Sequence, residues 1–330
     1  MDAITYSHFG GPEVLELTRR EPPAVGALEL LVRVRAVSVN PLDGKIRRGE
    51  LRLLSGARFP KTPGVDFAGC VEAVGAKVAG FAVGDRVFGY PGSMRKGTLS
   101  EVISVPAACA AKIPRGLDEV GAASVAMVGL AALQAFRDVA RVGARERVLV
   151  NGATGGVGLM LLQLARLQGA AVTAVASTKG VDVARQFGAD TVVDYRSESI
   201  VDSPERFDVV FDTSTKLPFR VARRLLGPCG RYVGFEPSPL SLLASAVLNP
   251  FRRQKHLLLV AKPSASDLAE VARLIDVNEL VLPPVESFDL RDAPRAFACV
   301  ERGGVTGKIV IRVPELLMHP ARRDLPPDQR

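Results

Sequence analysis

The chain has 330 residues, 47% of them hydrophobic and 24% charged, and a net charge of +8. That length and balance describe a globular chain that buries a large core, most simply in two domains. The positive charges are spread out except in Arg252-Arg253-Gln254-Lys255-His256 and Arg322-Arg323. These two clusters could attract nucleic acid or anionic lipid. No aromatic platform is interleaved with them, so a solvated basic surface and no nucleic-acid partner are expected.

Cys70, Cys109, Cys229 and Cys299 lie far apart, with no pair at metal-ligand spacing. They point to free thiols in a reducing compartment rather than a disulfide framework. The N-terminus, Met1-Asp2-Ala3-Ile4-Thr5-Tyr6, begins a strand and lacks the basic and apolar regions of a secretory signal. The apolar runs 240–248 and 257–261 are divided by a basic cluster, and neither approaches the ~18 residues needed to cross a bilayer. A cytoplasmic protein with no transmembrane segment is expected.

In chain order, residues 1–111 show many short β runs, the clearest being the alternating stretch 28–39. Beyond it, Gly64, Gly69, Gly75, Gly80, Gly84, Gly89, Pro91, Gly92 and Gly97 punctuate the chain. Strands and turns at such intervals predict a compact, partly closed β-barrel. From about 121 the texture changes. Residues 121–139 are Ala-rich and helical, and Gly143 ends the connection. Strands (148–150, 172–176, 191–193, 209–211, 232–235) then alternate with helices (159–167, 181–187, 219–226), the signature of a parallel α/β sheet. After 257–260, helices at 268–275 and 293–301 lead to a strand at 308–313 that is expected to return to the first domain. The boundaries expected are therefore 1–120, 121–262 and a return segment 263–330, loose from about 314, where Pro320, Pro326 and Pro327 stand among charges.

The stretch that organises the chain is Val148-Leu149-Val150-Asn151-Gly152-Ala153-Thr154-Gly155-Gly156-Val157-Gly158. It predicts a buried strand, a glycine-rich turn and the start of a helix. Ala153, Gly155 and Gly158 occupy the three small-residue positions of a dinucleotide fingerprint. The turn needs a residue without bulk so that backbone can approach a pyrophosphate. The last glycine lets helix and strand press together, and the helix N-terminus supplies free N–H groups. The second strand, 171–176, completes the βαβ context. Without a ligand, the same residues would simply make a tight strand-to-helix turn.

Laid out in order, the chain resembles the medium-chain dehydrogenase/reductase superfamily, nearest to its zinc-independent quinone oxidoreductase-like and enone reductase branch. The resemblance rests on Ser38-Val39-Asn40-Pro41-Leu42-Asp43, Pro63-Gly64-Val65-Asp66-Phe67-Ala68-Gly69, Val83-Gly84-Asp85-Arg86-Val87-Phe88-Gly89, the glycine turn, and Gly307-Lys308-Ile309-Val310-Ile311. It implies an α/β chain with a GroES-like β-barrel substrate domain and a Rossmann doubly wound parallel-sheet domain for a nicotinamide cofactor. A homodimer is also implied. Where zinc-dependent relatives carry ligands, this sequence has Asn40, Val65 and Asp66. Its only histidines, His8, His256 and His319, stand beside no cysteine, so tetrahedral zinc cannot be assembled from these neighbours and no metal is expected.

The cofactor expected is NADPH. An NAD site usually places a carboxylate about 20 residues past the glycines, on the ribose 2′-hydroxyl. Here that region reads Ala176-Ser177-Thr178-Lys179, and two hydroxyls with an ammonium suit a 2′-phosphate. Tyr195 can add a hydrogen bond, as the corresponding tyrosine of the family does. The cofactor residues expected are thus Ala153, Thr154, Gly155, Gly156, Val157, Gly158, Ser177, Thr178, Lys179 and Tyr195. The alternative is that Ser177 and Thr178 only cap a helix while Lys179 faces water.

Without metal or an evident acid, hydride must go to an acceptor that is already electrophilic, such as a quinone or an α,β-unsaturated carbonyl. The protein then positions it and polarises its carbonyl oxygen. Asn40 is the first candidate for that contact, or else a turn residue before Pro41 that bonds its own backbone. Lys45 presents its ammonium to the cleft or pairs with Asp43. Tyr90 reaches the acceptor or only packs. Asp66 is expected to satisfy backbone donors. Residues 237–248 line the cleft or lie in the core. Two other functions fit: a zinc-free reductase of one biosynthetic intermediate, or a nucleotide-binding structural or RNA-binding relative without turnover.

Overall fold

The computed structural model describes residues 1–314. Strands β1 (Asp2–Thr5) and β2 (Glu16–Arg19) pair antiparallel. Strands β3 (Glu29–Val39), β4 (Phe67–Val74), β5 (Arg86–Gly89), β6 (Val102–Pro106) and β7 (Ala110–Lys112) then form an antiparallel sheet in the order β3-β4-β5-β7, with β6 laid along β3. Strand β3 is long enough to curl, and its irregular register explains how. Leu30, Val32 and Val34 face the barrel core, and further on Val37 and Val39 do. This switch from even to odd positions coincides with a register shift against β4 between Val34 and Ala36. Its consequence is functional, because Ser38 and Asn40 are left facing the cleft side.

The helix Glu119–Gln134 starts at Asp118, whose carboxylate accepts the Gly121 N–H at 2.7 Å. It is apolar on nearly every face and sits buried between the barrel and the second sheet. It widens into a π turn over Ala135–Ala140 and stops at Arg141, at φ 53°. Among the described residues this is the one helix long and apolar enough to cross a membrane, but 83% of the apolar window is inside the protein.

The second sheet is wholly parallel. Its strands β8 (Arg147–Asn151), β9 (Ala171–Ala176), β10 (Thr191–Asp194), β11 (Phe207–Asp212), β12 (Leu226–Gly234) and β13 (Lys255–Leu258) lie in the order β10-β9-β8-β11-β12-β13. The order reverses between β8 and β11, which opens a crevice at the carboxyl ends of those strands. Both faces are covered: Val148 and Val150 pack towards the long helix, while Leu149 packs on the opposite side with Val210 and Tyr232. Residues 219–226 are helical only over Phe219–Ala222, and β12 already starts at Leu226. The run Gly227-Pro228-Cys229-Gly230 carries no helix signal, and the register against β11 slips across it.

After the helix Ala265–Asp276 come β14 (Val285–Asp289), the helix Ala293–Arg302 and β15 (Lys308–Arg312). Strand β15 pairs parallel with β14 and antiparallel with β3, placing Ile309 opposite Val39. The last described strand, β15, thereby joins the first sheet beside the cleft. His319, Arg322-Arg323 and the three prolines of the tail lie outside the described residues.

Candidate active site

Gly152 opens the nucleotide turn at φ 82°. A Cβ on Gly158 would stand 2.5 Å from the Gly152 carbonyl oxygen and 2.6 Å from that of Ala153, so close packing of helix on turn demands glycine there. A Cβ on Gly155 would meet nothing nearer than 3.6 Å. That open space lies at the N-terminus of the helix Gly156–Leu167, where no side chain caps the first N–H groups. The N–H groups of Gly156, Val157 and Gly158 have no acceptor within the helix, and the arrangement fits a pyrophosphate. Thr213 Oγ1 supports the turn from below, donating to the carbonyls of Asn151 and Gly152 at 2.9 Å each. Asn151 Nδ2 in turn donates to Asp212 and to Ser214.

At the end of β9, Thr178 and Lys179 are exposed and Ser177 is half-buried. Ser177 does not cap the following turn through its side chain, and the Thr178 hydroxyl bonds Asp194. Tyr195 is 55% exposed, with the Arg196 guanidinium 5.9 Å over its ring. Sequence reasoning missed Asp194. The parallel register sets it opposite Ala176, where the Thr178 hydroxyl and the Arg196 N–H hold its carboxyl below the usual carboxylate range. A carboxylate therefore does stand beside the expected 2′-phosphate residues, brought from the third strand rather than the second.

The barrel wall of the cleft carries a buried polar cluster. Asn40 is 2% exposed. Its Nδ2 donates to Asp66 Oδ2 at 2.9 Å and towards the Ser38 carbonyl and hydroxyl at 3.2 and 3.3 Å. Its Oδ1 accepts from Lys308 Nζ at 2.7 Å. The amide hydrogens expected to meet a substrate carbonyl are thus directed inside the protein. Asp66 also accepts from the Ser38 N–H at 2.7 Å and hydroxyl at 2.6 Å, in keeping with the expectation that it satisfies donors. Asp43 accepts the Asn40 N–H at 2.8 Å and the Gly64 N–H at 3.1 Å. Burial, then the neighbouring Asp66 charge, pushes its carboxyl up to about 7. Burial raises Asp66 and lowers Lys308.

Lys45 does not pair with Asp43. Its ammonium forms an ion pair with Glu236, which follows β12 on the opposite side of the cleft. Tyr90 is buried, and its hydroxyl enters none of the side-chain hydrogen bonds of this cluster. Burial first, then the charges of Asp43 and Asp66, push the phenol up to about 12.

Lys308 is the other residue that sequence reasoning missed. Its Nζ bonds Asn40 and the Val39 carbonyl, and its methylene chain runs over Gly156, where a Cβ would come within 2.6 Å of Cδ. The preceding Gly307 donates its N–H to the Thr154 carbonyl at 2.8 Å. Two adjacent residues of β15 thus tie the barrel cluster to the nucleotide turn. The available signal was a lysine opening the apolar run Ile309-Val310-Ile311, a placement that burial tolerates only with partners. Among the described residues no group of three or more His, Cys, Asp or Glu side chains gathers as a metal-ligand set.

Residues 26–115 match the alcohol dehydrogenase GroES-like domain family, and residues 187–311 match a family described as zinc-binding dehydrogenase. The chain is 30% identical to a chloroplast envelope quinone oxidoreductase homolog of Arabidopsis thaliana, over 94% of this chain and 98% of the relative. It belongs to the medium-chain dehydrogenase/reductase superfamily, in the quinone oxidoreductase-like branch. A second Arabidopsis thaliana relative, an NADPH-dependent alkenal/one oxidoreductase of the chloroplast, is 30% identical over 94% of this chain and 79% of its own. The solved quinone oxidoreductase of Coxiella burnetii superimposes with a TM-score of 0.87 at 27% identity, covering 95% of this chain and 99% of that one. For this member of the superfamily, the barrel is the GroES-like part and the parallel sheet the Rossmann part.

Proposed function

We propose that this chain is an NADPH-dependent reductase that delivers hydride to a quinone or an α,β-unsaturated carbonyl without a metal. The observation that carries the reading is the open space at Gly155 above an uncapped helix N-terminus, with exposed hydroxyl and ammonium groups at the end of β9. In this reading residues Ala153 to Gly158 hold the pyrophosphate. Ser177, Thr178, Lys179 and Tyr195 take the 2′-phosphate, with Lys179 outweighing Asp194, whose charge is partly spent on Thr178 and Arg196. The bound cofactor supplies the hydride, and the names of the two Arabidopsis relatives support acceptors of both kinds.

The protein's own residues then divide the work. Asn40 is a positioning residue that holds Lys308 and Asp66 in place. Tyr90 carries the hydroxyl that polarises the acceptor oxygen; with a pKa near 12 it keeps its proton at neutral pH and acts as a donor, not a base. Lys45 and Glu236 hold the two walls of the cleft together. A cytoplasmic homodimer completes the proposal, and sedimentation equilibrium tests the dimer.

The deciding experiment follows NADPH oxidation with 9,10-phenanthrenequinone and a panel of alkenones, with elemental analysis of the same sample. Turnover without stoichiometric metal and without chelator sensitivity is expected. Tyr90→Phe should lower kcat roughly ten- to a thousandfold, the scale of one preorganised donor, and leave NADPH affinity unchanged. Nucleotide binding with no turnover of any acceptor would overturn the reading in favour of a non-enzymatic relative.

A further inference from the structure

The helix Pro239–Leu248 is built inside out. Ser245, buried, and Ser241 and Ala244, half-buried, face the protein, while Leu240, Leu243 and Val247 are 77%, 62% and 54% exposed. Phe251, one turn further on, is 88% exposed. The spacing of these four, at steps of three and four residues, puts them along one outer stripe. A helix of a globular protein normally turns such a stripe inward. Here polar bonds hold the helix in the opposite sense: Ser245 Oγ bonds the His256 carbonyl, and Asn249 both accepts the His256 N–H at 2.9 Å and donates to its carbonyl at 2.7 Å.

The surface around this stripe is strongly basic. Between positions 216 and 256 stand eight Lys or Arg and a single acidic residue, Glu236. Glu236 is paired with Lys45 and Arg231 with Glu146, which leaves seven cations of the stretch outside these two pairs. That stretch accounts for nearly the whole net charge of the chain. Arg220, Arg223, Arg224 and Arg253 are exposed. The Arg252 guanidinium lies 5.6 Å over Phe219, and Arg223 bonds Gln254, which joins the short helix, the basic run and the outward helix into one face.

We propose that this face, with Leu240, Leu243, Val247 and Phe251 at its centre, is a peripheral docking surface for an anionic lipid bilayer. The apolar stripe enters the headgroup boundary while the arginines meet lipid phosphates, the division of labour of an interfacial amphipathic segment. The segment is far too short to span the bilayer. A second copy of the chain fits less well, because a two-fold contact would set like charges against each other. At His256 the edge of the sheet is also already occupied by the Asn249 amide. Glu236 lies three residues before the start of the helix, so docking would bring the cleft rim to the membrane.

Vesicle binding tests this without reference to turnover. The full chain should float with phosphatidylcholine vesicles containing about one-third phosphatidylglycerol, not with phosphatidylcholine alone, and salt should weaken the binding. Arg252→Ala with Arg253→Ala should cost about fivefold in affinity per arginine. Leu243→Glu with Phe251→Ser should abolish flotation, while melting temperature and nicotinamide-nucleotide affinity stay at the unaltered level. The chain has no tryptophan, so Phe251→Trp creates a single indole emitter whose fluorescence should shift to the blue on anionic vesicles. No flotation at low salt, or an unshifted Phe251→Trp emission on bound protein, overturns the proposal. So does an oligomer that Leu243→Glu dissociates while vesicle binding persists, since a second copy would then be the occupant.

Discussion

On the barrel wall of the cleft, Ser38, Asn40, Asp43, Asp66 and Lys308 are buried and bond one another. On the nucleotide wall, the helix N-terminus is uncapped, Gly155 faces open space, and Thr178 and Lys179 stand in solvent. One wall has used its polar groups to fix its own shape; the other has kept them for something outside the chain. The contrast teaches that charge in a cleft is not by itself a sign of chemistry. A buried group already satisfied holds geometry, and a group kept open at little cost to folding is where a ligand gains most.

The largest effect is expected from Lys308→Met. If the cluster is structural, losing its only cation strands two buried carboxyls and should cost about 3–5 kcal/mol of stability. Urea unfolding at neutral pH checks it, and a loss under about 1 kcal/mol would show that the barrel wall does not depend on the buried Lys308 cation.

The two glycines give the next contrast. Gly158→Ala drives a Cβ against backbone carbonyls and should destabilise by about 1–3 kcal/mol. Gly155→Ala should leave stability unchanged and weaken NADPH binding, since its Cβ fills only the open space. Unfolding curves and nucleotide titrations on both variants sharpen the distinction; matching losses of stability would erase it.

Lys179 tests the open wall directly. NADPH is expected to bind better than NADH by about 1–3 kcal/mol, the scale of charge-assisted bonds. Lys179→Ala should shrink that margin chiefly by weakening NADPH. Because Asp194 opposes a 2′-phosphate, Asp194→Asn should widen it. Equal affinities in the unaltered protein would remove the NADPH assignment.

The smallest effect is a pH dependence from the closed wall. Asp43 titrates at about 7 in the folded chain against an ordinary 3.8, so between these values the folded state holds a proton that the unfolded state has lost. Its contribution to stability is complete below about pH 4 and is lost as pH rises through about 7. The loss should be about 1 kcal/mol between pH 6 and pH 7, and Asp43→Asn should flatten it. Thermal unfolding across that range is the check.

Legibility differed between the walls for a physical reason. The glycine turn could be read because its requirements are local: a left-handed Gly152, a Gly158 pressed on the turn it follows, and a strand and helix that announce themselves by periodicity. The motif residues Ser38, Asn40, Asp43 and Asp66 were visible, but not the direction in which the Asn40 amide points. A substrate contact and a self-bonded turn residue look alike in one dimension.

What the sequence determined by itself was therefore the alternation of strand and helix, the nucleotide turn and the lack of a zinc-ligand pattern, all set by sterics and composition within short windows. Tertiary structure alone decided that Lys308 reaches Asn40, 268 residues away, and crosses Gly156 on its way. It also decided that Asp194 lies beside Thr178, that Lys45 meets Glu236, and that the helix after β12 turns its leucines outward. Each of these depends on strand register and on which faces meet across the fold. No local propensity encodes them, because the partners are brought together only when the sheets have paired.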